Sequence, residues 1–211
     1  MGGRGTISVS FSKKKEFSQA EYVDEHGHFL HEKMFPNGDN DYSLVAEMLG
    51  VNEQEAKILC DSVYNFTSGG GEHELYNAFK DGKIDSNLLS KNLERYIELA
   101  PKWRGKKTYR GEARDIAEIE SWQVGEKVNF GKASSWSNYE NIAEEFAKAK
   151  TLDSTGKRPV IFTSNTQNKG TSVNYLSKWD EREILVSKNA NFVISNIINK
   201  GKVTYIELNE R

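Results

Sequence analysis

Two glutamates separated by one residue stand directly before an apolar run. Glu181 and Glu183 precede Ile184-Leu185-Val186, a run typical of a buried strand. Because side chains in a strand repeat their direction every second residue, both carboxylates are expected on one face. Such a pair suits glycosyl transfer, where one carboxylate stabilises an oxocarbenium-like sugar and the other orients a nucleophile and accepts its proton. The alternative is two exposed glutamates without a chemical role.

A second candidate is Arg110, in a short strand that begins at Thr108. Its planar guanidinium can bind phosphate oxygens through two parallel hydrogen bonds. The neighbouring Gly111 would let the backbone approach a flat ligand closely. The alternative for Arg110 is an ordinary surface ion pair with Glu112.

The third candidate is the stretch Ser135-Trp136-Ser137. Ser135 could hydrogen-bond to Glu183 and fix its position, although serines at turns and helix caps are common. A helix is expected to follow from about Asn138, carrying Ala143, Phe146 and Ala147. Helical periodicity alone favours a core position for Phe146.

The elements that must position these residues follow an α+β order. Helical patterns run from residue 42 to residue 99 and stop before Pro101. After residue 107, β-rich runs dominate, at 159–164, 182–187, 191–198 and 202–208. The last two runs flank Asn199-Lys200-Gly201, which predicts a hairpin turn. Short crossovers leave little room for parallel βαβ units, and no G-x-G-x-x-G follows a strand, which argues against a Rossmann site.

Composition narrows the class of protein further. The 211 residues are 28% charged, with a formal net charge of -2, which is typical of a soluble globular protein and argues against bulk-charge binding of nucleic acid. The single cysteine, Cys60, excludes an intramolecular disulfide and a cysteine-based zinc site. No stretch approaches the roughly 20 apolar residues of a membrane span. We expect a soluble monomer that binds neither membrane nor nucleic acid.

The order of the three motifs resembles the arginine-type branch of the bacterial-toxin mono-ADP-ribosyltransferases. The family pattern is an aromatic-Arg, a Ser-Thr-Ser followed by a helix with Ala and Phe-Ala, and a Glu-x-Glu, and the resemblance covers about residues 42–210. It implies an α+β fold with N-terminal helices, in which two roughly perpendicular antiparallel sheets form an NAD cleft. We expect residues 42–211 to be the catalytic domain and residues 1–41 to be a polar arm.

The resemblance also implies a reaction and its residues. ADP-ribose would pass from NAD, the only cofactor and itself a substrate, to a side chain of an acceptor protein, with release of nicotinamide. Glu183 is expected on the NAD ribose with Ser135 beside it, and Glu181 at the acceptor, where a glutamate favours arginine. The remaining NAD contacts would be Tyr109, Arg110, Gly111, Phe146 and, on an upstream helix, Asn77. The acceptor loop would be residues 174–180, with Tyr175 and Trp179 as exposed aromatic anchors.

Two other functions stay open. Trp136 stands where the family has threonine, which leaves room for a non-catalytic binding module on a degenerate transferase fold. An NAD glycohydrolase, with water in place of the acceptor, is the other alternative, and Glu181 counts against it.

The polar arm carries the spacing His-x-His-x-x-His, at residues 26–31, which could bind a divalent metal. Solvated histidines fit such an arm better, so we expect no metal in catalysis. The first residues contain no apolar run and predict no secretion signal. We therefore expect synthesis in a cytoplasm. The start Gly2-Gly3-Arg4-Gly5 is similar to that of some phage-encoded proteins, which suggests a protein carried by a phage. The alternative is a protein delivered into another cell.

Overall fold

Helices come first along the chain and strands later, as the sequence predicts. The computed structural model describes residues 17–105, 107–152, 154–165 and 168–211, so the expectations about residues 1–5 lie outside the described part. The helices are α1 (His31–Met34), α2 (Ser43–Leu49), α3 (Glu53–Thr67), α4 (Gly70–Lys80), α5 (Leu88–Leu99), α6 (Ile116–Ser121) and α7 (Glu140–Thr151), with 3-10 turns at Gln19–Glu21 and Asn174–Leu176.

Asparagine caps begin the two longest N-terminal helices. The side chain of Asn52 accepts the backbone N–H of Glu55 at 2.9 Å at the start of α3, and Asn87 accepts that of Ser90 at 2.8 Å at the start of α5. Each helix buries one apolar stripe against the others. Within the described residues, no helix is both long and apolar enough to cross a membrane.

The strands are β1 (Thr108–Asp115), β2 (Lys127–Val128), β3 (Ser134–Ser137), β4 (Lys157–Ser164), β5 (Gly170–Ser172), β6 (Glu183–Val186), β7 (Phe192–Lys200) and β8 (Val203–Glu210). Their spatial order is β2-β7-β8-β4-β1-β3-β6-β5. The predicted hairpin joins β7 to β8, with Lys200 paired to Val203 and Gly201 in the left-handed region at φ 60°.

The two expected antiparallel sheets are continuous with each other at one point, and one pair of strands is parallel. The strands form one eight-stranded sheet, in which β1 and β3 are joined only by the pair Tyr109–Ser137. Strands β4 and β8 are parallel, because three strands lie between them in the chain and supply the length that a parallel crossover needs. The sheet still folds over on itself, since Trp136 on β3 packs against Phe192 on β7, four strands away.

The described part of the N-terminal arm packs against the helices. Phe29, Met34 and Phe35 are buried in the same apolar cluster as the stripes of α2, α3 and α5. The sequence predicts a polar arm, and its buried apolar residues were not recognised because they are spaced without helical or strand periodicity. The boundary between an arm and a catalytic domain at residue 42 stays a prediction.

Candidate functional site

The three motifs meet in one cleft, although they come from strands that are distant along the chain. The cleft encloses about 810 Å³ with its open mouth included. Strand β1 contributes Tyr109, Arg110 and Gly111, strand β3 contributes Ser135, and the start of β6 contributes Glu183. Side chains of α7, α4 and the loop before β6 complete the walls, and these include Phe146, Lys150, Glu72, Trp179 and Glu181.

Glu183 is a buried carboxylate at the base of the cleft, only 2% exposed. Burial and the negative charge of Glu181 raise its pKa to about 7, while the nearby hydroxyl groups of Ser135 and Ser177 oppose the rise. Ser135 therefore lies close to Glu183, as expected. The Oε2 atom of Glu183 has no hydrogen-bond partner within the described residues. A buried acceptor of this kind is suited to a ligand donor.

Glu181 reaches the cleft by a different route from the one that strand alternation suggests. Strand β6 begins only at Glu183, and Arg182 has the left-handed backbone angle φ 52°. A bend therefore sets the direction of the Glu181 side chain, so strand alternation does not place Glu181 on the same face as Glu183. A non-glycine residue in this conformation costs about 1–2 kcal/mol, so neighbouring contacts must hold it. Burial raises the pKa of Glu181, as does the charge of Glu72.

The serine motif fixes the backbone on which Glu181 stands. The hydroxyl of Ser137 donates to the carbonyl oxygen of Glu181 at 2.7 Å. Between the two serines, Trp136 points to the other face of β3, where it is 2% exposed and packs against Phe130 and Phe192. Its bulk therefore lies in the core and leaves the cleft wall unobstructed.

Arg110 is 7% exposed and engaged on two sides. Its Nε and Nη2 atoms each lie 2.6 Å from Oε1 of Glu112, and its Nη1 donates to the carbonyl oxygen of Ser135 at 2.7 Å. The expected pair with Glu112 is present, but it is buried rather than on the surface. Burial would raise the pKa of Glu112, yet the charges of Arg110 and Arg114 outweigh it and lower the pKa to about 2. Among the described residues, one N–H on each terminal nitrogen of Arg110 has no hydrogen-bond partner.

Helix α7 forms one wall of the cleft. A Cβ on Gly111 would stand 1.8 Å from the carbonyl oxygen of Ala143, so glycine is required there by the packing of α7 on β1. Approach to a flat ligand, which was the expected reason, is not needed to explain it. Phe146 faces the cleft and is 41% exposed, so the interpretation of this residue as core is wrong.

Two sequence-predicted residues lie elsewhere. Asn77 is exposed on α4, outside the lining of the cleft. Tyr175 was expected to be exposed, but it is buried, and its hydroxyl lies 2.7 Å from that of Tyr96. The 3-10 turn at Asn174–Leu176 points this ring into the helical core. Trp179 is 55% exposed at the rim, as expected.

Sequence reasoning missed three charged residues around the cleft. Glu72 and Lys150 line it and lie 3.3 Å apart, and Lys132 lines the adjoining groove with Arg110. Burial and the charge of Arg110 together lower the pKa of Lys132 to about 8. None of the three belongs to a motif, because tertiary packing alone brings them to β1.

The three histidines of the arm have separate partners. His28 is buried, against expectation, and its Nδ1 lies 3.0 Å from Oγ of Ser172. His31 contacts the carbonyl oxygen of Tyr175 at 2.8 Å through Nδ1, and His26 lies on the surface. Across the part of the chain that the structure describes, no three His, Cys, Asp or Glu side chains are grouped as metal ligands.

Comparison with known proteins gives matches among solved structures. No model of a protein family and no curated protein matches the chain. The ADP-ribosyltransferase Vis, a toxin from Vibrio splendidus, is 20% identical over 72% of each chain, with a TM-score of 0.64. Exoenzyme S from Pseudomonas aeruginosa is 18% identical over 75% of this chain and 74% of its own, with a TM-score of 0.58. The ADP-ribosyltransferase HopU1 of Pseudomonas syringae is 16% identical over 92% and 86%, with a TM-score of 0.57.

At these identities the similarity establishes the fold. The chain has the α+β fold of the toxin-type mono-ADP-ribosyltransferases, as the order of its motifs predicted.

Proposed function

We propose that this protein is a mono-ADP-ribosyltransferase that transfers ADP-ribose from NAD to an arginine side chain of an acceptor protein. The observation that carries the proposal is the buried carboxylate of Glu183, with one oxygen unpartnered within the described residues, in the same cleft as Arg110 and Ser135. A core ion pair or a surface glutamate would not need such an arrangement. The cleft also has the concave shape, mixed lining and convergent polar groups of a small-molecule site.

NAD fits the charges of this cleft. Its pyrophosphate is an anion, and the free N–H groups of Arg110 with the nearby Lys150 provide donors and positive charge. Phe146 offers an exposed ring for the flat nicotinamide. Among proteins of the same fold, exoenzyme S has been solved with carba-NAD bound, which supports NAD as the ligand here.

An arginine acceptor fits the rim. Glu72, Glu181 and Glu183 place three carboxylates near one another, and their mutual repulsion contributes to the raised pKa of the last two. A cationic guanidinium would relieve that repulsion. Trp179 presents an exposed ring on which a guanidinium can stack. Vis has been solved in complex with agmatine, which carries a guanidine group.

The chemistry assigns one task to each carboxylate. The bond between ribose C1′ and the nicotinamide nitrogen breaks, and its electron pair leaves with neutral nicotinamide. Glu183 stabilises the oxocarbenium-like ribose and accepts a hydrogen bond from its 2′-hydroxyl. A guanidine nitrogen attacks C1′ to form the new N-glycosidic bond. Glu181 orients that guanidinium and accepts the proton it loses.

The test uses the full chain with NAD. Release of nicotinamide measures cleavage, and labelled ADP-ribose on agmatine or on lysate proteins measures transfer, with mass spectrometry locating the modified side chain. Label on arginine that disappears in Glu183→Gln supports the proposal. Nicotinamide release without label on any acceptor would indicate an NAD glycohydrolase instead. Absence of both activities would leave the non-catalytic module as the better interpretation.

A further inference from the structure

Arg182, between the two carboxylates of the cleft, is the one non-glycine residue in the left-handed backbone region among the described residues. An arginine has no intrinsic preference for this conformation, unlike glycine or asparagine. The conformation matters for the site because it sets the path of the chain from Glu181 into β6. A contact from outside Glu181-Arg182-Glu183 must therefore stabilise the left-handed conformation of Arg182.

That contact comes from the N-terminal arm. Nη1 of Arg182 forms a close ion pair with Oδ2 of Asp24, 158 residues earlier in the chain. Both side chains are largely buried, at 25% and 16% exposure, so solvent screens this pair less than a surface pair. The other contacts of Arg182 are weaker, namely Asp180 at 3.3 Å, which is exposed, and the ring of Tyr139 at 5.9 Å.

Asp24 is itself held rigidly. Its Oδ1 accepts the backbone N–H groups of His26 and His28, each at 2.9 Å, and its own N–H donates to the carbonyl oxygen of His28. This turn closes a bridge between Val23 and the buried Phe29, which belongs to the helical core. One oxygen of Asp24 therefore fixes the turn, and the other faces Arg182.

We propose that Asp24 is a positioning residue, which holds Arg182 in its left-handed conformation and thereby places the Glu181 carboxylate for the acceptor. The inference rests on the proposed function. It separates the two glutamates, because Glu183 is the first residue of β6 and is held by its pairing with Ser137 on β3. Loss of the Asp24 contact should therefore impair transfer to the acceptor, whereas the cleavage of NAD by water should stay largely unchanged.

The test is Asp24→Asn, which keeps an oxygen for the two backbone N–H groups and removes the charge that faces Arg182. With agmatine as acceptor, we expect kcat for transfer to fall about tenfold or more, since small misplacements of a reacting group have effects of this size. Nicotinamide release in water should change little. The matched control is Asp39→Asn, an exposed aspartate of the same arm that pairs with His31, and it should change neither activity.

Rescue distinguishes positioning from general damage. Glycine adopts positive φ without a tether, so Asp24→Asn combined with Arg182→Gly should recover transfer, whereas Asp24→Asn with Arg182→Ala should not. Thermal unfolding shows whether each variant is folded. Equal loss of transfer and hydrolysis in Asp24→Asn, or failure of glycine to rescue, would overturn the inference.

A structural readout keeps the inference separate from the proposed function. If the unchanged protein released no nicotinamide and labelled nothing, the proposed function would be wrong, and a crystal structure of Asp24→Asn would still decide about the tether. A negative φ at residue 182 with displaced Glu181 supports the inference. A retained positive φ with Glu181 in place contradicts it.

Discussion

The guanidinium of Arg110 donates to the backbone carbonyl oxygen of Ser135 across 2.7 Å, which joins the first and second motifs of the cleft directly. Ser135 also lies beside the carboxyl group of Glu183 in the cleft. The three motifs are therefore close neighbours, and Arg110 both supports the cleft and lines it.

Arg110→Ala should weaken NAD binding by about 1.5–3 kcal/mol, because it removes a charge-assisted donor to the ligand. Isothermal calorimetry with NAD measures this. Arg95→Ala provides the control, since Arg95 is half-exposed on α5 and pairs with Glu55 and Glu98, away from the cleft. Unchanged affinity in Arg110→Ala would exclude a ligand contact.

Local sequence patterns predicted the elements whose partners are near in the chain. Helix α3 begins after Asn52 and buries Ala56, Leu59, Val63 and Phe66, as its periodicity predicts. Strands β3 and β5 were not predicted, because Ser134–Ser137 and Gly170–Ser172 are short and polar and become strands through pairing with other strands, mainly β6. Their formation depends on tertiary contacts, which no window of sequence contains.

The same distinction applies to the site. Arg110, Ser135, Glu181 and Glu183 were found because motifs carry them, and the structure brings all four to one cleft. The burial of Tyr175 and the tether between Asp24 and Arg182 depend on packing between segments more than 70 residues apart. The order of the motifs could not predict either.

Glu183→Gln should stabilise the protein at alkaline pH. Burial raises the pKa of Glu183 to about 7 from an ordinary value of 4.5. Between pH 4.5 and pH 7, the carboxyl group is therefore protonated in the folded state and ionised in the unfolded state. Stability therefore falls as pH rises from about 4.5 to about 7 and stays lower above it. Glutamine removes this dependence, which predicts a gain of about 3 kcal/mol at pH 8.

Urea unfolding at pH 8 and at pH 4.5 measures the difference, which should be small at the lower pH. Glu145→Gln, an exposed glutamate on α7, is the control and should not change stability at either pH. A gain of the same size at both pH values would show that the charge of Glu183 is not its cause.

Trp136→Ala should destabilise the fold by about 3–5 kcal/mol, the usual range for a large aromatic removed from a core. The ring is buried against Phe130 and Phe192 on the face opposite the cleft. Trp179→Ala is the matched control, since that ring lies exposed at the rim and its loss should change stability by less than about 0.5 kcal/mol. Equal effects of the two substitutions in urea unfolding would argue against the core position of Trp136.

Substitutions of the two glutamates of the cleft should affect different activities. Glu183 acts on the NAD ribose, so any cleavage needs it, and Glu183→Gln should lower nicotinamide release by about 10²-fold or more, as is typical for charges that face a developing cation. Glu181 is only half-buried at the rim, where it would orient and deprotonate the acceptor. Glu181→Gln should therefore retain much of the hydrolysis of NAD while abolishing transfer to agmatine.

Both activities can be measured on one preparation of each variant, with nicotinamide release for hydrolysis and labelled agmatine for transfer. Glu145→Gln again controls for the loss of a carboxylate outside the cleft. Equal loss of both activities in Glu181→Gln would mean that the glutamates act as one unit, and the separate tasks assigned to them would be wrong. Glu183 is the one acidic residue of the cleft that is buried, among the described residues. Full activity in Glu183→Gln would therefore show that catalysis does not need a buried carboxylate.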